Sequence, residues 1–406
     1  MEADVIIIGG GAAGAMAGVH SARFGNRVII LEPNGKIGKK LFITGKGRCN
    51  VTNNCSKEEL IRNIPRNPRF LYSAFSQYST EDVMNFFEWA GVPLKTERGN
   101  RVFPESDRSA DIISALEREL KAAGVRLIPE RAEELIIENG CCLGVRTDKG
   151  EYRSRSVLIA TGGKSYPQTG STGDGYRLAQ SAGHTVTKLE PSLIPLVCNE
   201  KYCADMMGLS LKNVTLSLYD GEKKIFSELG EMLFTHFGVS GPLVLSASSH
   251  IERMQPDRYS LKIDLKPGLT HQQLDNRLKR DFSENINRIF GNSLSKLLPA
   301  KLIPPAVRLS GIEGERRVNQ ITREERIRFG ELLKAFPLTV KGFRPIAEAI
   351  ITSGGVDVRE INPKTMESKL VKGLYFAGEV IDVDGYTGGF NLQIAFSTAY
   401  CAAMNM

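Results

Sequence analysis

The sequence predicts an α/β fold: a discontinuous domain built on a parallel sheet, interrupted by an antiparallel β domain that carries a helical insertion of its own. Three observations predict it. The N-terminal segment alternates an apolar run (Asp4 to Ile8), a Gly/Ala turn, a small-residue helix to about Arg23 and a second apolar run (Arg27 to Leu31), which is a βαβ unit with buried strands. From about Pro191 strand-like segments dominate, and Pro267 to Phe336 turns helical and basic. From about Val340 the Gly-rich turns and apolar runs of the first kind return. The expected division is therefore 1–190 with 340–406, a β domain at 191–266 with 336–340, and a helical insertion at 267–335. At about 150 residues per domain, 406 residues agree with two or three such bodies.

Bulk composition narrows the class. Hydrophobic residues at 41% and charged residues at 24% exclude disorder. Apolar runs stop short of the ~18 residues a membrane span needs, and the Val5–Gly18 stretch follows Glu2 and Asp4 instead of the basic residues of a secretion signal. The seven cysteines (Cys49, Cys55, Cys141, Cys142, Cys198, Cys203, Cys401) are odd in number and form no Cys-x-x-Cys pair. A reduced, cytoplasmic protein without a disulfide framework, a zinc site or a membrane partner is expected. The formal charge of +7 is mild for this length; it fits a solvated surface as well as an anionic partner.

Taken in order, residues 35–54 lack periodicity and read as a long loop. Helical patterns follow at 57–64, 68–77, 80–90 and 109–123, the last behind an Asp107/Ser109 cap signal. Short strands are expected at 125–128, 132–138, 142–147, 151–153 and 156–160, then a helix at 173–182. In the β domain the strand segments are 193–198, 212–219, 223–228 and 259–265.

The first strand runs into Gly9-Gly-Gly11-Ala12-Ala13-Gly14, a Gly-x-Gly-x-x-Gly between strand and helix. Gly9 permits the tight turn, Gly11 lets a pyrophosphate approach the backbone, and Gly14 lets helix and strand pack. The helix N-terminus then meets the phosphates. Eighteen residues past Gly14, Glu32 closes the second strand; an acid there accepts from both adenosine ribose hydroxyls and repels a 2′-phosphate, which suits FAD or NAD better than NADP. What separates FAD from NAD lies elsewhere. The basic glycine loop Lys39-Lys40 to Asn53, with Gly45, Gly47, Arg48, Cys49, Asn50 and Thr52, is suited to wrap the middle of a long extended cofactor. A strand ending at Ala160-Thr161-Gly162-Gly163 is followed by Gly170 to Gly175 with Asp174, and Ala132 heads the strand at 132–138. Last come Gly378-Glu379, Asp382, Asp384-Gly385 and Thr387-Gly388-Gly389-Phe390-Asn391-Leu392. There Glu379 is placed to hold a ribityl hydroxyl or the pyrophosphate through water, and a helix starting near Gly389 offers N–H donors to the flavin N1–C2=O edge, which turns negative on reduction. The reading is a Rossmann-like FAD-binding domain of the glutathione-reductase type.

On Gly9–Gly14, Gly45–Asn53, Arg101–Pro104 with Ser106–Arg108, Ala160–Ser165, Thr169–Gly175 and Thr387–Asn391, the chain resembles the bacterial BaiN/RdsA-type FAD-dependent oxidoreductases, which include aminoacetone-oxidase-like proteins. Lys46 departs from the pattern, standing where that family has a small residue. The resemblance implies FAD laid across the fold with the inserted domains as a lid. It also implies activities from oxidation or reduction of small molecules to reduction of a uridine double bond in ribosomal RNA.

There is a single Gly-x-Gly-x-x-Gly, so NAD(P)H, if it is the electron donor, docks transiently instead of owning a second Rossmann domain. For acid/base work the candidates are His236, in Phe234-Thr-His-Phe-Gly, with Arg48 and Tyr386; Cys49 reads as packing. Three readings stay open: hydride transfer with a small molecule, RNA modification using the basic insertion (Arg277, Lys279, Arg280, Arg288, Lys296, Lys301, Arg308, Arg316, Arg317), and a non-catalytic flavin sensor.

Overall fold

The computed structural model describes Ala3–Met406, apart from the side chain of Lys46, so the expectations placed on Glu2 and on that side chain lie outside the described residues. The chain divides into two compact units, Met1–Ser192 with Ile346–Met406, and Leu193–Pro345.

The first unit is built on five parallel strands in the order Leu374–Phe376, Ser156–Ile159, Val5–Ile8, Val28–Leu31, Arg126–Ile128. Val5–Ile8, Val28–Leu31 and Ser156–Ile159 are buried at every residue, as unbroken apolar runs between two covered faces must be. The helices Ala12–Arg23 and Phe390–Ala403 pack against each other, and both are nearly all Ala, Gly and other small or apolar residues on the buried side. The chain leaves Val5–Ile8 first towards Val28–Leu31 and later returns to its other flank at Ser156–Ile159. The order therefore reverses at the carboxyl ends of those two strands, the place where open α/β sheets bind ligands.

Residues 35–54, expected as one loop, fold further than their composition shows. They hold a short helix Lys39–Ile43, a 3-10 turn Thr44–Gly47 and a strand Thr52–Asn53, which pairs with Arg101–Pro104 and through it with Leu94–Glu97. Elements this short carry no readable period; their pairing across some fifty residues of chain supplies the hydrogen bonds instead.

The second unit holds a closed six-stranded barrel in the order Leu196–Cys198, Gly238–Ser240, Lys223–Thr235, Ser210–Asp220, Tyr259–Asp264, Phe336–Phe343. The last strand runs to Phe343 to pair with Leu196–Cys198 and close the barrel, so the chain leaves this unit at Pro345 and not at 340. Helices His271–Glu284 and Arg323–Lys334 send Leu274, Leu278, Phe329 and Leu333 into the same core as barrel residues Ile263 and Phe336. The stretch 267–335 therefore shares the barrel's core. A short helix, Pro242–Ser248, follows Gly241; at only seven residues it carries no helical period in the sequence.

His20, on the opening helix, is 8% exposed among Tyr400, Tyr78 and Phe86, with ring centroids 4.7, 5.3 and 5.6 Å away, and its Nε2 has no partner. Burial, helped by Arg23, pulls its pKa from 6.5 down to about 4. The unfolded chain therefore binds the proton first, and stability drops as pH falls from 6.5 towards about 4, by about 1.4 kcal/mol per pH unit. The opposite shift at Asp384 is common to both proteins in a comparison with His20→Phe. Thermal melts from pH 7.5 down to 4.5 should show the wild type losing stability faster than that variant, and parallel profiles would refute the assignment.

Candidate functional site

The site is assembled where the sheet order reverses. A Cβ on Gly14 would lie 1.9 Å from the Gly9 carbonyl oxygen, and one on Gly9, itself at φ +103°, would lie 2.7 Å from the Ala160 oxygen. These two positions accept only glycine, because backbone meets backbone there. A Cβ on Gly11 would meet nothing within 4 Å. Gly11 therefore opens the space in front of a helix whose first turn has no acid and no side-chain cap, leaving the N–H groups of Ala12, Ala13 and Gly14 directed outwards.

Glu32 is bolted to this turn. One carboxylate oxygen accepts from the Gly10 N–H at 2.9 Å, and the other from the backbone and side-chain nitrogens of Asn34 at 3.0 and 2.7 Å.

The two ends of the chain meet here. A Cβ on Gly378 would touch Ala13 Cβ at 2.9 Å, and one on Gly389 would lie 2.3 Å from the Thr52 oxygen. Asn53 Nδ2 donates to the Gly388 carbonyl at 2.9 Å, and Thr52 Oγ1 donates to Gln393 Oε1 at 2.5 Å. The loop 39–53 is thereby sewn to the start of the closing helix, which has Gly389 in the left-handed region as its cap and again no acid in its first turn. Asn391 holds the turn before it, accepting from Gly385 N at 2.8 Å and donating to Gly385 O at 2.7 Å. Phe390 is buried; Leu392 and Tyr386 are half-buried.

Between these ends lies a polar cluster. Lys40 Nζ is 2.7 Å from both Glu379 Oε2 and Ser165 Oγ, while Glu379 Oε1 accepts from Thr352 N at 2.8 Å and Ser165 Oγ at 3.1 Å. Gly163 makes room for it, since a Cβ there would lie 2.5 Å from Thr352 Oγ1 and 2.7 Å from Glu379 Oε1. Gly162 precedes it at φ +73°. Asp174 pairs with Arg131 at 2.8 Å, tying the helix it starts to the neighbour of Ala132. Ser165 and Thr352 were not singled out from sequence as site residues, because Thr352 comes from a segment with no motif of its own.

The arrangement fits a dinucleotide with an extended middle. Two uncapped helix ends flank one region, and Asn50 Oδ1 and Thr161 Oγ1, both on expected cofactor positions, are buried with no partner from the chain. A buried polar atom left so costs about 1–3 kcal/mol, which a ligand group would recover.

The Arg48 guanidinium lies 2.5 Å from both Glu97 and Asp107 and stacks 4.1 Å over the Phe103 ring. Two carboxylates already answer its charge, so it braces the loop near Gly45 and Gly47 and is not a free catalytic cation. Cys49 is fully buried and its thiol is pushed up to about 12 by burial, as a packing residue should be. His236 belongs to the barrel unit, exposed on a two-residue hairpin with its ring 5.0 Å from that of Phe237. The cysteines, without a paired motif in sequence, are all free thiols, and Cys198 is in hydrogen-bond contact with Cys203 in the barrel core. That neighbour and burial hold the Cys198 thiol far above its ordinary range, where it cannot act as a thiolate.

Two substitutions separate packing from binding. Gly14→Ala should destabilise the fold by about 1–3 kcal/mol, read as a lower melting temperature. Gly11→Val should leave melting of the cofactor-free chain unchanged while weakening FAD binding at least about tenfold, a loss of about 1.4 kcal/mol. Equal binding by Gly11→Val and wild type would place the phosphates elsewhere.

The comparisons agree with this architecture. The family model described as "HI0933-like protein Rossmann domain" matches residues 3–405. A 3-dehydro-bile acid delta(4,6)-reductase of Clostridium scindens is 30% identical over 400 residues, covering 98% of this chain and 97% of that protein. A ribosomal RNA dihydrouridine synthase of Haemophilus influenzae is 30% identical over 407 residues, covering 99% and 98%. A solved 3-ketosteroid delta1-dehydrogenase from Sterolibacterium denitrificans shares the fold, with a TM-score of 0.54 and 13% identity over 99% of this chain and 98% of that one. Matched along nearly its whole length, the chain belongs to the HI0933-like Rossmann family.

Proposed function

We propose that the protein is an FAD-dependent oxidoreductase that moves a hydride between flavin and an organic substrate whose carbon–carbon double bond is conjugated to a carbonyl. The observation that carries it is the pair of uncapped helix N-termini, at Gly11 and Gly389, on two helices that pack against each other, with Gly378 closing on Ala13 and Gly389 on Thr52. Bound there, FAD would supply the two-electron chemistry. The chain's own part is to bind and orient it. Gly11 to Gly14 would take the pyrophosphate, Glu32 the adenosine ribose, and Lys40 with Glu379 the middle of the cofactor. The N–H groups ahead of Phe390 would face the edge that becomes negative on reduction, donors already in place before the charge arrives.

The substrate class draws on two relatives whose names share one chemistry. A delta(4,6)-reductase of a 3-dehydro bile acid and a dihydrouridine synthase each saturate a double bond conjugated to a carbonyl. In such a step hydride goes to the carbon remote from the carbonyl and a proton to the adjacent one. His236 and Tyr386 stay as candidate proton donors; NAD(P)H is the proposed transient electron donor.

The second reading, an RNA substrate, is favoured by the name of the Haemophilus relative. Against it, Arg277, Lys279, Lys296, Arg308 and Arg316 in the insertion each already face a carboxylate. That favours a solvated surface over a track for phosphates.

The chain purified with FAD should be yellow and should bleach anaerobically with NADH or NADPH. Colour should then return on adding a steroid enone if the substrate is small, or uridine-containing ribosomal RNA under the second reading. A protein reoxidised by neither, and reduced slowly by every donor, would be the sensor instead.

A further inference from the structure

Three acids stand between Gly378 and Gly385, and they are not equivalent. Glu379 is paired with Lys40 at 2.7 Å. Asp382, 4% exposed, is paired with Arg66, whose Nη2 lies 3.2 Å from Oδ2, and its carbonyl accepts from Asn67 Nδ2 at 2.7 Å. Asp384, 3% exposed, has hydroxyl partners alone among the described residues: Ser353 Oγ donates to Oδ1 at 3.0 Å and Ser192 Oγ to Oδ2 at 3.1 Å.

One guanidinium thus serves two buried carboxylates and is committed to the first. Each element around Asp384 contributes as follows. Its own segment carries Asp382, the segment before Pro68 carries Arg66, the strand Glu190–Ser192 carries Glu190 with Ser192, and Ile351–Ser353 carries hydroxyls only. With both acids ionised the cluster would hold an uncompensated buried charge, which is costly. Burial accordingly pushes the Asp384 carboxyl from 3.8 up to about 6, against the pull of the two serines and Arg66.

Asp384 is also mechanically close to the closing helix. The next residue, Gly385, is held on both its N–H and its carbonyl by Asn391, and a Cβ there would touch Phe390 Cβ at 2.9 Å. Asp384 is therefore one residue from the turn that starts the proposed flavin-facing helix.

We propose that Asp384 is a proton-uptake site coupled to flavin reduction, taking one proton from solvent as the two electrons arrive and releasing it on reoxidation. This rests on the flavoprotein reading above. Negative charge gained at the helix N-terminus raises the proton affinity of an unpaired carboxyl close by, and by reciprocity the proton favours the reduced cofactor. Asp384 acts as a charge-compensating, positioning residue and makes no bond to substrate.

The test is potentiometric titration of the FAD-loaded full chain from pH 5 to 8 for wild type, Asp384→Asn and Ser353→Ala. Above about pH 6 the wild-type potential should fall more steeply with pH than that of Asp384→Asn, by the slope of up to one extra proton per flavin. Ser353→Ala, with one hydroxyl fewer on the carboxylate, should move the break to higher pH. Parallel wild-type and Asp384→Asn curves, or a break unmoved in Ser353→Ala, overturn the proposal while leaving the flavoprotein reading intact. Should Asp384→Asn fail to fold, the wild-type curve and the Ser353→Ala shift decide alone. A wild-type chain that takes up no FAD overturns the flavoprotein reading itself.

Discussion

The first unit depends on close approach of bare backbone at the carboxyl ends of its parallel strands. Gly14 sits on the Gly9 carbonyl, Gly9 on Ala160, and Gly389 on Thr52, each at a separation no Cβ tolerates. These contacts contribute little attraction of their own. Their importance is geometric: they bring two helix N-termini, separated by more than 370 residues of chain, to one region of the sheet. Everything polar in the site then follows from that convergence.

Around it the chain deals with charge in two ways. Arg48, Glu97, Asp107 and Lys95 form a half-exposed network that fixes the loop onto its small sheet, and each pair in such a setting contributes about 0–1 kcal/mol. Lys40 and Glu379 are more enclosed, and Asp382 is buried beneath a half-exposed Arg66; for such carboxylates breaking a pair costs more than forming it gains. Lys40 and Arg66 are taken up by Glu379 and Asp382, and Asp384 is the acid left to hydroxyls.

The parallel strands and the two glycine segments were legible because each carries a local signal: unbroken apolar runs for strands covered on both faces, and glycines at a spacing set by one tight turn. Gly9 and Gly14 make the close backbone approaches of that turn, and Glu32 accepts from its Gly10 N–H. Arg48 shows the limit. A basic residue in a glycine loop looks the same in sequence whether it faces a ligand or two acids 49 and 59 positions away.

The sequence by itself determined the fold class, the turn after Val5–Ile8 and the family, because these rest on residues adjacent in the chain whose physics is local. Tertiary structure decided the closure of the barrel at Phe343, the merging of the helical insertion with the barrel core, the Lys40–Glu379 pair and the isolation of Asp384. Each of these is a contact between distant segments. Its energy depends on burial and on which partners the fold brings within reach, and neither is written in any single stretch of residues.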